Sequence, residues 1–328
     1  MLNHMKKRII LVGCGNIGSR HLQALVKLPF SVDIDVIEPN EKSRQNAFSK
    51  LREIDYSPQK YNIFWHTNLD KIEKKSDLVI IATTSNGRVK IIKKLLKMKN
   101  SKFIVEKIVC QSLSEYDSLL KHMKKFHAMG WINTNMRYFK SYKKIRKYFS
   151  NSKRVHMSLT SSGNYGLGTN AIHYLDCFCW FINDYNITLS GEGLFNKLFP
   201  NKRSKDMIEF AGSISATNKN GSSITITLIP NADLPLLVNV YGDNNKHLII
   251  NEVEEKVFNI LNTKPKFDYN YEHTSTLTTK IVTDIINNNN CDLTTIENSY
   301  YIHKELFRIF CKHIKKITHK QTKICPIT

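Results

Sequence analysis

Ile9-Ile10-Leu11-Val12 runs without a polar break into Gly13-Cys14-Gly15-Asn16-Ile17-Gly18, and no other stretch limits the fold as tightly. An unbroken apolar run followed by G-x-G-x-x-G reads as a buried strand, a tight turn and the first turn of a helix. Gly13 permits the turn, Gly15 lets a pyrophosphate approach the backbone, and Gly18 lets helix and strand pack closely. The unsatisfied N–H groups of Asn16 and Ile17 at the helix start then face phosphate oxygens. A second apolar strand, Val32 to Ile37, ends at Glu38. That is about twenty residues past the last glycine, where a carboxylate binds the adenosine ribose hydroxyls. Glu38 repels a 2′-phosphate, so NAD is expected as cofactor and NADP is disfavoured. Ser43 and Arg44 stand close enough in sequence to accommodate such a phosphate.

The chain has 328 residues, enough for two domains with cores of their own. No window approaches the ~18 uninterrupted apolar residues of a membrane span. Residues 1–8 carry no apolar signal segment, and the seven cysteines are odd in number and widely scattered. The expectation is a cytoplasmic protein with free thiols and no structural metal; Cys177 and Cys179, one residue apart on a helix, point to different faces. The formal charge of +21 admits an anionic partner. Lysines occur in every helix beside Lys-, Asn- and Ile-rich stretches, however, and this fits a general compositional bias. Nucleic acid ranks last as a partner because no recognition motif accompanies the charge.

From residue 1 to 133 strands and helices alternate as a doubly wound sheet requires. Asp77 to Ala82 is the clearest buried parallel strand. It ends in Thr83-Thr84-Ser85-Asn86-Gly87-Arg88, a polar loop at the carboxyl edge where ligands of open α/β sheets bind. Thr83, Ser85 and Asn86 are therefore candidate contacts to the nicotinamide ribose. The next strand, Phe103 to Val105, delivers Glu106 and Lys107 to the same edge.

The glycine fingerprint, the Ala82-Thr83 loop and Glu106-Lys107 together resemble the Gfo/Idh/MocA oxidoreductases, NAD(P)-dependent enzymes acting on sugars, inositols and related polyols. The resemblance implies that Glu106 and Lys107 border the cofactor and that Lys107 stands beside the reacting carbon. A lysine partly desolvated there gives up its proton more readily and exchanges it with a substrate hydroxyl. The family pair is normally followed by proline; here Ile108 follows. Asn133 to Tyr138 resembles the family's crossing segment into the substrate domain. Arg137 either holds an anionic or hydroxyl-rich substrate or pairs with an acid.

From Lys153 the texture changes to alternating strands: 155–160, 187–190, 207–216, 222–229, 236–241 and 247–250. Asn220-Gly221 suggests a type I′ hairpin. The fold class expected is thus α/β: an N-terminal Rossmann dinucleotide-binding domain over residues 1–133, then an α+β domain over 134–328 with an open, mostly antiparallel sheet. The resemblance implies that the sheet's exposed face forms a homodimer or homotetramer. In this half Gly163-Asn164-Tyr165-Gly166-Leu167-Gly168 leads into a helix reaching about Ile182. Thr169, Asn170, His173, Asp176 and Cys177 share a face of it by i, i+3, i+4 spacing. The family usually carries Asp, then His four later, then Asp three further on. His173 and Asp176 match the last two, and Thr169 stands where the first carboxylate would be. No acid is available at that point in sequence. Tyr165, Thr169, Asn170 and His173, with Arg137, are the expected substrate contacts; either the acid-base work rests on Lys107 and His173, or the substrate lacks the hydroxyl that the missing Asp would bind, and Asp176 orients a neighbour or packs. The tail forms two helices, 273–287 and 295–317, covering the first domain or the back of the sheet.

The function expected is reversible hydride transfer between NAD and a secondary alcohol or ketone of a sugar, with a nucleotide sugar or other surface-carbohydrate precursor favoured. The alternative is a non-catalytic NAD-binding regulatory or partner subunit of the same fold.

Overall fold

The computed structural model describes residues 6–72, 75–162, 166–201, 204–243, 245–259 and 262–328. The chain divides into two compact units, and both are discontinuous in sequence. The first joins residues 1–110, 115–133 and 272–296; the second joins 111–114, 134–271 and 297–328. Residues 272–296 thus leave the region 134–328 assigned above to one domain. The reason is polar as well as apolar docking: on the helix Thr274–Asn288, Thr278 Oγ1 lies 2.8 Å from His21 Nδ1 and Thr279 Oγ1 donates to the Ala24 carbonyl at 2.9 Å.

The first unit is built on β1 (Lys7–Val12), β2 (Val32–Ile37), β3 (Tyr61–His66), β4 (Leu78–Ile81), β5 (Lys102–Val105) and β6 (Met129–Ile132). These six are parallel in the order β3-β2-β1-β4-β5-β6, and the short strand Thr294–Thr295 adds antiparallel to β6. The intervening helices are α1 (Asn16–Leu25), α2 (Glu41–Arg52), α3 (Arg88–Lys97) and α4 (Leu113–Lys125). Ile9, Ile10, Leu11, Val79, Ile80 and Ile81 are all fully buried, as central parallel strands covered on both faces must be. Strand order reverses between β1 and β4, so the carboxyl ends of these two frame the crevice where such sheets bind ligands.

The second unit contains α5 (Lys140–Phe149), β7 (Val155–Ser162), α6 (Leu167–Ile182) and β8 (Ile187–Ser190). β9 (Gly212–Asn218), β10 (Ser223–Ile229), β11 (Leu237–Gly242), β12 (Lys246–Asn251), β13 (Lys256–Asn259) and β14 (Asn262–Asp268) follow. Its eight-stranded sheet runs β14-β13-β12-β11-β7-β10-β9-β8 and is antiparallel except where β10 meets β7. Inward residues alternate with outward ones along β7: Val155, Met157 and Leu159 are buried, whereas His156, Ser158 and Thr160 are half-exposed. α6 packs against β7 and β10.

Three local expectations change. The run 207–216 is two strands: Ile208–Glu209 pairs with Phe199–Pro200, and β9 begins only at Gly212, whose φ of +98° breaks the extended chain. The hairpin at Asn220-Gly221 is not type I′, which needs positive φ at both residues; only Gly221 has it, at +84°. The Gly221 amide instead donates to the Asn218 carbonyl at 3.1 Å, the pattern of a type I turn closed by a glycine bulge. β13 and β14 were not anticipated, because Lys256, Lys264, Lys266 and Pro265 interrupt the apolar alternation. Among the described residues no helix is long and apolar enough to cross a membrane.

Candidate functional site

At the end of β1, Gly13 adopts φ +87°, and a Cβ there would lie 2.8 Å from the Thr83 nitrogen. A Cβ on Gly18 would strike the Gly13 carbonyl, so the turn and the helix can meet only as glycines. Gly15 differs, because nothing stands within 4 Å of where its Cβ would be. Open space over that backbone, beside an α1 start with no side-chain cap, fits a pyrophosphate seated on the amides of Asn16 and Ile17. Glu38 is buried and anchored: Oε2 accepts from the Cys14 N–H at 2.7 Å and Oε1 from the Asn40 N–H at 3.0 Å. Its carboxylate is therefore fixed at the end of β2, with lone pairs left over for ribose hydroxyls. Arg44, weighed above as a phosphate partner, donates to the Glu38 carbonyl at 2.8 Å and the Pro39 carbonyl at 2.9 Å.

The ends of β4 and β5 are tied by a residue that pattern reading treated only as loop. Arg88 is 1% exposed, and its guanidinium donates to the carbonyls of Thr83, Glu106 and Ile108. One buried cation thereby fixes the Thr83 loop against the Glu106-Lys107 segment. Of the loop candidates, Thr83 is half-buried, Ser85 is fully buried and Asn86 is exposed. Glu106 and Lys107 are both buried, and the Lys107–Ile108 peptide is cis. Glu106 Oε1 lies 3.0 Å from His21 Nε2 and accepts from the Asn133 amide. Burial alone would raise this carboxyl. The hydrogen bond and charge of His21, the Asn133 hydrogen bond and the Lys107 charge outweigh it and hold Glu106 at about 2. The carboxylate beside Lys107 is thus ionised across any physiological pH.

In the second unit the polar stripe on α6 separates into different environments. Asp176 is 2% exposed and receives Arg137 in a bidentate pair, Nε to Oδ2 at 2.9 Å and Nη2 to Oδ1 at 2.7 Å, with Thr134 Oγ1 donating to Oδ2 at 2.9 Å. Arg137 also donates to the Tyr185 hydroxyl. Burial disfavours the cation, but Asp176 more than compensates and raises Arg137 above its ordinary value. Of the two roles weighed for Arg137, the pairing with an acid is the one its geometry realises. Cys177 is in the core, with its thiol pushed well up by burial. Asn170 and His173 remain half-exposed. Tyr165 lies outside the described residues.

Thr169 requires a correction. A carboxylate does stand at this position, supplied by Glu209 from the short strand Ile208–Glu209. Glu209 Oε2 accepts from the Gly168 N–H at 2.9 Å and the Thr169 N–H at 3.3 Å; Oε1 accepts from the Thr169 hydroxyl and from Asn201 Nδ2 at 3.2 Å. Burial raises the Glu209 carboxyl, and these hydrogen bonds pull it only partly back. A residue forty positions away in sequence leaves no mark in local spacing, which is why the acid was missed.

Residues 7–134 match a family model, Gfo/Idh/MocA, described as an oxidoreductase family with an NAD-binding Rossmann fold. The match covers the first unit's NAD-binding Rossmann strands and helices and stops at residue 134. No curated protein sequence matches the chain. Solved structures share its fold over nearly the whole length. An oxidoreductase from Agrobacterium radiobacter in complex with NAD+, L-tartaric acid and magnesium aligns with a TM-score of 0.70 at 14% identity, over 92% of this chain and 94% of that one. The WlbA dehydrogenase of Bordetella pertussis, in complex with NADH and UDP-GlcNAcA, gives 0.68 at 13% identity over 93% and 95%. A dehydrogenase, MviM, from Clostridium difficile gives 0.67 at 17% identity over 92% and 97%.

Within this NAD-binding domain, the sequence pattern gave His21 and Arg88 no role and gave Asn133 only a place in the crossing segment, not its bond to Glu106. Each sits in sequence as an ordinary polar side chain on a helix or at a strand end. Their only signal was indirect: a buried Glu106 demands donors, and a buried loop of carbonyls demands a cation.

Proposed function

We propose that the chain is an NAD-dependent dehydrogenase or reductase acting on a secondary alcohol or ketone of a sugar, with a nucleotide sugar as the favoured substrate. The observation that carries this reading is Lys107, buried at the carboxyl end of β5 in an NAD-binding oxidoreductase domain and flanked by a carboxylate held at about 2. The WlbA dehydrogenases, similar in fold, were solved in complex with NADH and UDP-GlcNAcA, which supports the nucleotide-sugar class. When bound, nicotinamide accepts or donates the hydride. The chain's own residues do the rest. The amides of Asn16 and Ile17 hold the pyrophosphate and Glu38 the adenosine ribose. Thr83, Ser85 and Asn86 border the nicotinamide ribose. Lys107 moves the proton of the reacting hydroxyl, with its ionised neighbour Glu106 fixing local charge. Asn170 and His173 of the second unit are the proposed sugar contacts, and His173 is the second proposed acid-base group.

Two further elements belong to the same proposal. All seven cysteines are unbridged, which suits a reducing cytoplasm. The outward face of the second unit's sheet, with Ser158, Thr160, Ser215 and Asn239 half-exposed, is proposed as a polar homodimer or homotetramer surface.

Lys107→Ala tests the reading on a panel of sugars and nucleotide sugars. Turnover is expected to fall about 100-fold to 10,000-fold, the usual worth of a positioned acid-base group, with NAD affinity within a few-fold of wild type. Unchanged turnover removes Lys107 from the mechanism. NAD binding without turnover of any panel member by the wild-type chain points to a regulatory subunit.

A further inference from the structure

The cysteines of this chain are not chemically alike. Cys14, Cys177 and Cys179 are buried, and burial pushes their thiols up, Cys14 to about 12, so they keep their protons and are poor nucleophiles. Cys311 differs from these three. It stands half-exposed on the helix Ile296–Thr318, and a hydrogen bond from the Cys325 thiol lowers it, outweighing the partial burial that acts the other way. Cys325 is fully buried and moves in the opposite direction: burial raises it most, followed by the same hydrogen bond and the charge of Cys311. Cys325 is thus the donor of the pair, and Cys311 is the sulfur that carries negative charge to solvent.

Both sulfurs belong to the second unit, and the backbone sets Cys325 in place. Its N–H donates to the Gln111 carbonyl at 2.7 Å, and its carbonyl accepts from the Ile327 N–H at 2.9 Å. The Pro326 carbonyl accepts from the Ile208 N–H at 2.9 Å. Cys325, Ile327 and Thr328 are buried, whereas Lys320, Gln321, Lys323 and Ile324, which link them to the helix, are exposed. Residues 325–328 are therefore a docked segment at the end of an exposed link. The segment borders the strand Ile208–Glu209 and the start of α6, where a Cβ on Gly168 would lie 2.8 Å from Ile327 Cγ2. An accessible thiol with thiolate character, touching a buried one, has the two parts that thiol–disulfide exchange needs: a sulfur to attack and a sulfur to resolve.

We propose that Cys311 and Cys325 form a redox modification site, at which a small disulfide such as oxidised glutathione converts the thiol pair to an intrachain disulfide that fastens residues 325–328 to the helix. The Cys311 thiolate attacks one sulfur of the oxidant, whose S–S bond breaks; a mixed disulfide forms on Cys311 and one thiolate leaves. The Cys325 sulfur then attacks Cys311 Sγ, the mixed disulfide breaks and the second thiolate leaves. The two protons lost by the pair end on the two released thiols. The protein loses two electrons and the small disulfide gains them. Contact with Cys311 serves Cys325 in place of acidity. In a reducing compartment such a bond is transient and forms when the small-disulfide fraction rises. None of this chemistry depends on the sugar-oxidoreductase reading, and its test needs no substrate.

The test treats the reduced full chain with oxidised glutathione, blocks remaining thiols and reads tryptic peptides by mass. Cleavage after Arg308, Lys312 and Lys323 puts the two cysteines on separate peptides, 309–312 and 324–328. These are expected as one linked species, lighter than their sum by two hydrogens and separated by dithiothreitol. The link is expected to form tenfold or more faster than glutathione adds to Cys291, which is half-exposed in the first unit. Amide exchange over residues 319–328 is expected to slow fivefold or more on oxidation. Cys325→Ser is expected to retain glutathione on Cys311, and Cys311→Ser to leave Cys325 unmodified. Wild-type protein in which Cys311 keeps glutathione while Cys325 stays a free thiol overturns the proposal, as does a Cys311 that reacts no faster than Cys291. A linked pair with unchanged amide exchange also overturns it, because the bond then fastens nothing. These wild-type results decide the matter whether or not either variant folds.

Discussion

Glu106 and Glu209 are both buried carboxylates at the edge of a candidate site, and both are well supplied with hydrogen bonds, yet their titrations move in opposite directions. Glu106 is held at about 2, whereas Glu209 is raised. Burial acts on each in the same sense, against the charged form. The difference is the kind of partner. Glu106 meets His21 and Lys107, which bring positive charge. The hydrogen bonds to Glu209 come from backbone amides, a hydroxyl and a side-chain amide, all neutral. Neutral donors satisfy the Glu209 carboxylate geometrically and offset its desolvation only in part. A cation does both, and this is why Glu106 stays ionised where Glu209 is raised.

The largest expected effect that separates the two is on stability. Glu106→Ala leaves His21 and the Asn133 amide facing a vacated site and should cost about 3–5 kcal/mol, the usual penalty for removing one partner of a buried ion pair. Urea unfolding at neutral pH measures it, and a loss under about 1 kcal/mol would mean that the pair contributes no more than an exposed one.

The pH dependence comes next. For Glu106, whose native value is depressed, stabilisation is complete above the ordinary carboxyl value of 4.5 and is lost as pH falls through about 2. Linkage puts that loss at about 3 kcal/mol. For Glu209 the native value is raised, so the sign reverses and ionisation costs stability as pH rises through it. Between pH 5 and 2.5, wild type should lose stability relative to Glu106→Gln. Glu209→Gln should instead gain on wild type as pH rises from 4 to 8. Slopes of the same sign for the two variants would break the comparison.

A smaller effect probes how tightly Glu209 is seated. Gly166→Ala places a methyl on the carboxylate and should cost about 1–3 kcal/mol, typical of overpacking. If the carboxylate position is responsible, the double variant Gly166→Ala, Glu209→Ala should recover most of that loss by thermal unfolding. An undiminished loss in the double variant assigns the strain to the backbone.

What could be read before the structure divides along the same line as these two acids. Around Glu106 the placement was legible because strand, loop and pair follow one another in sequence: β1 into Gly13, β2 into Glu38, β5 into Glu106 and Lys107. Arg88 and His21 were visible as residues but not as partners, since their bonds reach across the ends of different strands. Around α6 the periodicity grouped Thr169, Asn170, His173, Asp176 and Cys177 on one face of a helix, and Cys177 lies in the core. It did not reveal that Asp176 would be claimed by Arg137 and Thr169 by Glu209.

By itself the sequence determined the parallel α/β sheet, its glycine turn and the acid at the end of β2, because hydrophobic period and glycine geometry act within a few residues and need no distant partner. The tertiary structure alone decided which polar side chains remain available. A buried carboxylate takes whichever donors the fold brings within about 3 Å, and that choice is a property of packing between segments far apart in the chain.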